Sequence, residues 1–241
     1  MRIIIADNYE EMSREAANVI ADYIKEKPDC VLGLATGSTP IGLYAELVKD
    51  NKAGEISFKD VMTFNLDEYR GLDPKHHQSY RYFMQDNLFD HVDVVPENTH
   101  VPNGFNPDAE EACAEYEEMI AEAGGLDLQL LGLGHNGHIG FNEPSDAFDL
   151  GTHCVDLTEE TIEANKLFFA SRDEVPRQAY TMGTRTIMHA RKVLMIVSGK
   201  DKAEIVKKAF FGPVTPQVPA SILQMHKDFV LVADEDALSL I

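Results

Sequence analysis

The chain has 241 residues, 44% hydrophobic and 26% charged, with 41 acidic against 21 basic side chains and a formal net charge of −20. Those proportions describe a folded domain with a sizeable buried core, and the charge argues against nucleic-acid binding, which depends on clustered Lys and Arg. Cys30, Cys113 and Cys154 are too widely spaced for a Cys-x-x-Cys site or a disulfide framework; no apolar run approaches the roughly 18 residues of a membrane span, so a cytoplasmic protein without membrane contact is expected.

"RIIIA" (2–6) predicts a first strand, and Met12, Ala16, Val19, Ile20 and Tyr23 share one side of a helix over 9–26. "CVLGLA" (30–35) is a second buried strand, followed by "TGSTP" (36–40) and a helix opening after Pro40. "VMTFNL" (61–66) reads as a strand that runs into "DEYRGL" (67–72). A helix over 108–122 then leads to a strand in "LDLQLLGL" (126–133). Across 142–180 the alternation falters, and the segment reads as a loop followed by a helical flap. "KVLMIV" (192–197), a helix over 201–210 and "DFVLVA" (228–233) close the series. No linker or repeat interrupts it, so a single domain over 1–241 is expected. Its class is α/β: three layers around a doubly wound, largely parallel sheet of Rossmann-like topology, with the helical flap added.

Ligands of such sheets lie at the carboxyl ends of the strands. The charge is uneven: residues 158–208 hold ten Lys/Arg and seven Asp/Glu, a balance of +3, which leaves −23 for the rest. A small anion would therefore find that region or use backbone N–H groups. In "TGSTP", Gly37 permits a tight turn and Ser38 or Thr39 can cap the helix that Pro40 opens. Such an entry suits a phosphate, although a plain capped helix has the same signature and the P-loop lysine is missing. At the next strand end, one of the adjacent carboxylates Asp67 and Glu68 can face a ligand as a base; neighbours on an extended segment point apart, so at most one does so. Lys200 and Lys202 stand where a helix begins, against its dipole, which an anion between them would explain.

"LGLGHNGHIGFNEPSD" (131–146) admits three readings. His135, His138 and Glu143 could clamp a metal, but His-x-x-His among glycines lacks helical register and no further ligand is spaced for it. Gly132, Gly134 and Gly137 spell a dinucleotide fingerprint, but Gly140, Asn142 and Pro144 prevent the helix that must open on its third glycine. The remaining reading is a proton relay, in which the His138 side chain shuttles protons and Glu143 orients it.

Together, "LGLATGSTPIGLY", "TFNLDEYRGL", "HHQSY", "LLGLGHNGHIGFNEP" and "VSGKDKA" resemble, in order and spacing over essentially the whole chain, the glucosamine-6-phosphate deaminase (isomerase) family. The resemblance implies conversion of glucosamine 6-phosphate and water to fructose 6-phosphate and ammonium, a hydrolytic C–N cleavage in amino-sugar catabolism with no metal and no cofactor. Asp67 then resembles the base that takes the C2 proton and returns it at C1. His138 resembles the group that assists ring opening, with Glu143 as its carboxylate partner. Thr36, Gly37, Ser38 and Thr39 would hold the 6-phosphate together with Lys202.

Two positions depart from the family's pattern. Many members carry aspartate where Asn136 stands, so Asn136 can position His138 but not stabilise its cation by charge. Leu167 replaces an arginine that grips phosphate in the allosteric members, leaving Lys166 or Arg172 as its replacement. The segment after "NEP" offers no matching basic pair, so activation by N-acetylglucosamine 6-phosphate is not expected, and the chain is expected to be a monomer or small homo-oligomer. A related lactonase that hydrolyses 6-phosphogluconolactone and a non-catalytic sugar-phosphate sensor are the alternatives.

Overall fold

The computed structural model describes residues 1–159, 162, 163, 166, 169 and 171–241. Its centre is a seven-stranded sheet with every neighbouring pair parallel, in the order β1 (Arg2–Ala6), β10 (Phe229–Asp234), β9 (Lys192–Val197), β6 (Leu128–Gly132), β2 (Val31–Leu34), β3 (Met62–Asn65) and β5 (Thr99–His100). The six predicted strands are all present within one or two residues. The central strands are near-continuous apolar runs because both faces are covered; β2, for example, is buried at each of its four positions, whereas β1, at the edge, leaves Ile3 and Ile5 exposed.

Helices α1 (Tyr9–Glu26), α2 (Ile41–Lys52), α3 (Tyr80–Asn87), α4 (Ala109–Glu122), α5 (Thr184–Met188) and α6 (Ala203–Phe211) surround the sheet. α1 starts where the Asn8 side chain accepts the Glu11 N–H at 3.0 Å, and buries Met12, Ala16, Ile20 and Ile24 along one stripe. Asp108 caps α4 by accepting the N–H groups of Glu110 and Glu111. No helix among the described residues is long and apolar enough to cross a membrane.

The 142–180 region also supplies strands, beside the expected loop and flap: a second sheet holds three antiparallel strands in the order β4 (Asp67–Tyr69), β8 (Gln178–Thr181) and β7 (His153–Asp156). Short, half-exposed strands such as "HCVD" carry little periodicity, and their pairing is entirely long-range. Residues 160, 161, 164, 165, 167, 168 and 170, inside the expected flap, lie outside the described residues, and Leu167 is among them.

The order of strands in the main sheet reverses direction between β2 and β6, which is where an open α/β sheet forms its ligand crevice. The loop after β2 and the glycine-rich loop after β6 flank that point. β3 contributes by leaving: after Asn65 the chain crosses to the second sheet, where Asp67 pairs with Thr181. Leu66 bridges the two, donating its N–H to Leu34 O and accepting that of Met182.

Candidate active site

The first component is the loop after β2. Among the described residues, none of the backbone N–H groups of Thr36, Gly37, Ser38 and Thr39 donates a hydrogen bond, and Gly37 has φ +99° with open space around it. Unpaired N–H groups entering a helix N-terminus form an anion cradle. Behind the cradle, the Tyr44 hydroxyl ties down both polar groups of Ala35, donating to its carbonyl at 2.6 Å.

The two adjacent acids separate into different roles. Glu68 is 2% exposed, and its carboxylate accepts the backbone N–H groups of Tyr69, Tyr80 and Arg81 at 2.8, 3.0 and 2.9 Å. It thereby fastens β4 to the start of α3. Burial pushes its carboxyl up to about 7, and the three N–H donors oppose that rise. Asp67 is 6% exposed and, among the described residues, its carboxylate accepts no hydrogen bond from the protein. Burial pushes Asp67 up to about 8, with the neighbouring Glu68 charge adding to the shift. Its Oδ2 lies 3.4 Å from where a Cβ on Gly140 would stand, so the glycine-rich loop meets the carboxylate with bare backbone. Gly140 has φ +58°, and Thr181 fixes the next residue by accepting the Phe141 N–H at 3.0 Å.

Within the glycine-rich loop, His138 Nδ1 lies 3.2 Å from Glu143 Oε1, at ion-pair distance but not aligned as a hydrogen bond. Asn136 acts on the carboxylate rather than on the imidazole. Its amide donates to Glu143 Oε2 at 2.5 Å, and its carbonyl accepts the His138 backbone N–H at 3.1 Å. One Glu143 oxygen is thus held by Asn136 and the other is left for the ring. Partial burial raises Glu143, but the His138 contact and the Asn136 bond outweigh it and hold the carboxyl below its usual range.

Gly134 is needed for a steric reason. A Cβ there would sit 2.3 Å from Cδ2 and Nε2 of His138 and 2.4 Å from Cε1, inside the ring's van der Waals surface. Gly134→Ala should therefore displace the imidazole from Glu143 without altering either residue. The expected result is at least a tenfold loss of turnover, of the order general acid–base groups supply, with thermal unfolding shifted by only a few degrees; full activity in that variant would show that the ring's seat does not matter.

His135 and His138 face different partners, which dissolves the metal clamp. His135 Nε2 is 2.8 Å from Asp201 Oδ2, and its Nδ1 is 3.2 Å from Lys202 Nζ. The dinucleotide fingerprint also lacks its helix: the chain turns at Gly137, φ +90°, and an isolated bridge joins Ile139 to Asn142. Lys202, just after β9, donates to Leu133 O at 2.8 Å at the end of β6. Burial lowers its ammonium pKa, with Asp201 opposing. An ammonium has three N–H bonds; Leu133 O and His135 occupy two, which leaves one for a ligand.

Arg172 is taken up elsewhere, with Nε 3.0 Å from Glu163 and its other arm paired with Glu159, while Lys166 pairs with Glu163. Lys200 is exposed. A cleft of about 370 Å³ runs beside the anion loop, walled by Gly37, Ser38, Tyr69, Tyr80, Phe83 and Phe169. Neither Tyr9, described below, nor Thr181 carried any signal in the sequence, because each acts through a partner far along the chain.

Residues 6–232 match the family model described as glucosamine-6-phosphate isomerases/6-phosphogluconolactonase, and the chain belongs to that family. Within it, a glucosamine-6-phosphate deaminase from Thermoanaerobacter sp. (strain X514) is 55% identical over 241 residues, covering 100% of this chain and 95% of the relative. One from Clostridium perfringens (strain 13 / Type A) is 54% identical over 100% of both chains. The solved structure of a monomeric glucosamine-6-phosphate deaminase superposes with a TM-score of 0.96 at 45% identity, again over 100% of both. 6-Phosphogluconolactonase from Thermotoga maritima shares the fold, with a TM-score of 0.76 at 21% identity over 97% of this chain and 99% of that one.

Proposed function

We propose that the protein converts D-glucosamine 6-phosphate and water to D-fructose 6-phosphate and ammonium. The observation that carries this reading is Asp67, a buried carboxylate without a protein hydrogen-bond partner among the described residues, set against bare backbone at Gly140. A base held dry and close is what removal of a proton from carbon requires. Full-length relatives above 50% identity are glucosamine-6-phosphate deaminases, while the lactonases lie near 20%.

The 36–39 loop and Lys202 hold the 6-phosphate. His138, backed by Glu143, moves the proton between the C1 hydroxyl and the ring oxygen, so that the pyranose C1–O5 bond breaks and an aldehyde forms. That carbonyl acidifies the C2 hydrogen, which Asp67 removes; the C–H electrons form a C1–C2 double bond and the carbonyl oxygen takes a proton from the substrate's ammonium, which leaves a free amine. Asp67 then returns its proton to C1 while the nitrogen lone pair forms a C2 imine. Water adds at C2 and ammonia leaves with a proton as ammonium, making the net C–N cleavage hydrolytic.

Two assays on one preparation test this: ammonium and fructose 6-phosphate released from glucosamine 6-phosphate, and acid released from 6-phosphogluconolactone. The expected result is equimolar ammonium and ketose with no lactone hydrolysis, unchanged by a chelator and following a hyperbolic rate curve that N-acetylglucosamine 6-phosphate does not activate. Lactone hydrolysis without ammonium release would transfer the protein to the other branch of its family. Binding of the sugar phosphate with neither reaction would make it a sensor.

A further inference from the structure

We propose that the Tyr9 hydroxyl is a positioning residue for the sugar-phosphate site, turning the Ser38–Thr39 peptide so that the Thr39 N–H faces the bound phosphate. The proposal rests on the reading of 36–39 as the phosphate loop. Tyr9 is the first residue of α1, on a different element from the loop. Its hydroxyl lies 3.1 Å from Thr39 O and 3.3 Å from Ser38 O, and accepts the Gly42 N–H at 2.9 Å. The single phenol O–H is shared between two consecutive carbonyls on the α1 side of the loop, and its oxygen receives an N–H from the first turn of α2; Ser38 O also accepts the Ile41 N–H at 3.4 Å, which holds it facing the same turn.

The geometry of the peptide unit does the rest. In a trans peptide the C=O and the following N–H point in opposite directions, and there is no cis peptide bond among the described residues. With Ser38 O drawn back onto Tyr9, the Thr39 N–H is aimed outward, where no protein acceptor meets it among the described residues. The next carbonyl, Thr39 O, is followed by the Pro40 nitrogen, which carries no hydrogen. Drawing that second carbonyl back therefore removes no donor from the cradle.

A second observation supports the contact. Gly42 lets α1 and α2 close on the loop: a Cβ there would stand 2.5 Å from Ser13 Oγ and 3.0 Å from the Tyr9 hydroxyl oxygen. The close approach leaves the phenol its place against the turn. Ser13 Oγ, buried in the same contact, has no hydrogen-bond partner among the described residues, so it supplies a control that alters packing without touching the loop.

Tyr9→Phe deletes one oxygen and keeps the ring. Its effect is read on the intact protein in two ways: steady-state kinetics with glucosamine 6-phosphate, and titration with inorganic phosphate alone. The expected result is a rise of about three- to tenfold in both KM and the phosphate dissociation constant, the loss that one hydrogen bond supports, with kcat within about twofold of the parent. Ser13→Ala should leave both constants unchanged. Unchanged KM and phosphate affinity in Tyr9→Phe would overturn the proposal, as would a loss confined to kcat or an equal shift in Ser13→Ala. If the parent protein releases no ammonium but binds phosphate, the assigned reaction fails while the phosphate titration still judges Tyr9. A parent that binds no phosphate would overturn the positioning role itself.

Discussion

Asp67→Asn is expected to lower turnover by about a hundred- to ten-thousandfold, the range that a positioned acid–base group contributes, while sugar phosphate still binds through the 36–39 loop and Lys202. The amide has the shape of the carboxylate and cannot accept the C2 proton. Turnover measured alongside inorganic phosphate binding separates the two effects, and normal turnover would remove Asp67 from the mechanism. In the parent protein, with Asp67 raised to about 8, kcat/KM should climb as pH rises towards that value, because only the ionised carboxylate is a base. The substrate's ammonium, arriving beside the carboxylate, would favour that ionised form.

The same residue makes a prediction about stability. Below the unfolded-state pKa, near the ordinary 3.8, the carboxyl is neutral whether folded or not and burial costs little. Between there and about 8, rising pH ionises the unfolded chain before the folded one, so folding stability falls. Asp67→Asn should therefore unfold at a higher temperature than the parent at pH 9 and show little difference at pH 4, a gain on the order of a few kcal/mol at the alkaline end. Glu68, raised to about 7 by the same burial, keeps part of the slope in both proteins. Thermal melts across pH that run parallel for the two would contradict the buried-charge account.

His138→Gln is the second large effect. The amide fills much of the imidazole's space but does not shuttle a proton near neutral pH. Turnover of the cyclic substrate should drop by about a hundredfold or more, and the defect should shrink when the sugar is supplied in its open-chain form. That contrast assigns His138 to ring opening; an identical defect on both forms would place its role elsewhere. Glu143→Gln should give a smaller version of the same pattern, since Glu143 touches the ring and not the proton being moved.

Much of this was legible in the order of residues. The apolar runs at 30–35 and 192–197 are strands because nothing but a doubly covered sheet accommodates them, and the helices at 9–26 and 109–122 announce themselves through stripe and cap. What stayed hidden was whatever depends on partners distant in the chain. "DEY" is a strand only because Thr181, Tyr180 and Ala179 pair with it. α3 begins at Ser79, a good capping residue, but its eight residues are too few for periodicity to stand out. The site followed the same division. "FNLDEY" exposed two acids without saying which was free; the answer lies in Tyr80 and Arg81, whose N–H groups occupy Glu68. Asn136 supports His138 by taking its backbone N–H, and its amide also holds Glu143, a second contact that residue type does not reveal.

Among the described residues, the first strand of the sheet has a single neighbour, β10, which is the last of the described strands in chain order. During synthesis, the N-terminal segment therefore leaves the ribosome with its hydrogen-bonding edge unmatched and waits until residues 229–234 have followed it out. Lys202 likewise reaches Leu133 only after β9 has docked beside β6. The Lys202–Leu133 bond and sheet closure are thus both late events in the making of the molecule. Nascent chains stopped short of residue 229 should expose "RIIIA" as a sticky edge, which makes the interval before β10 emerges this protein's vulnerable one.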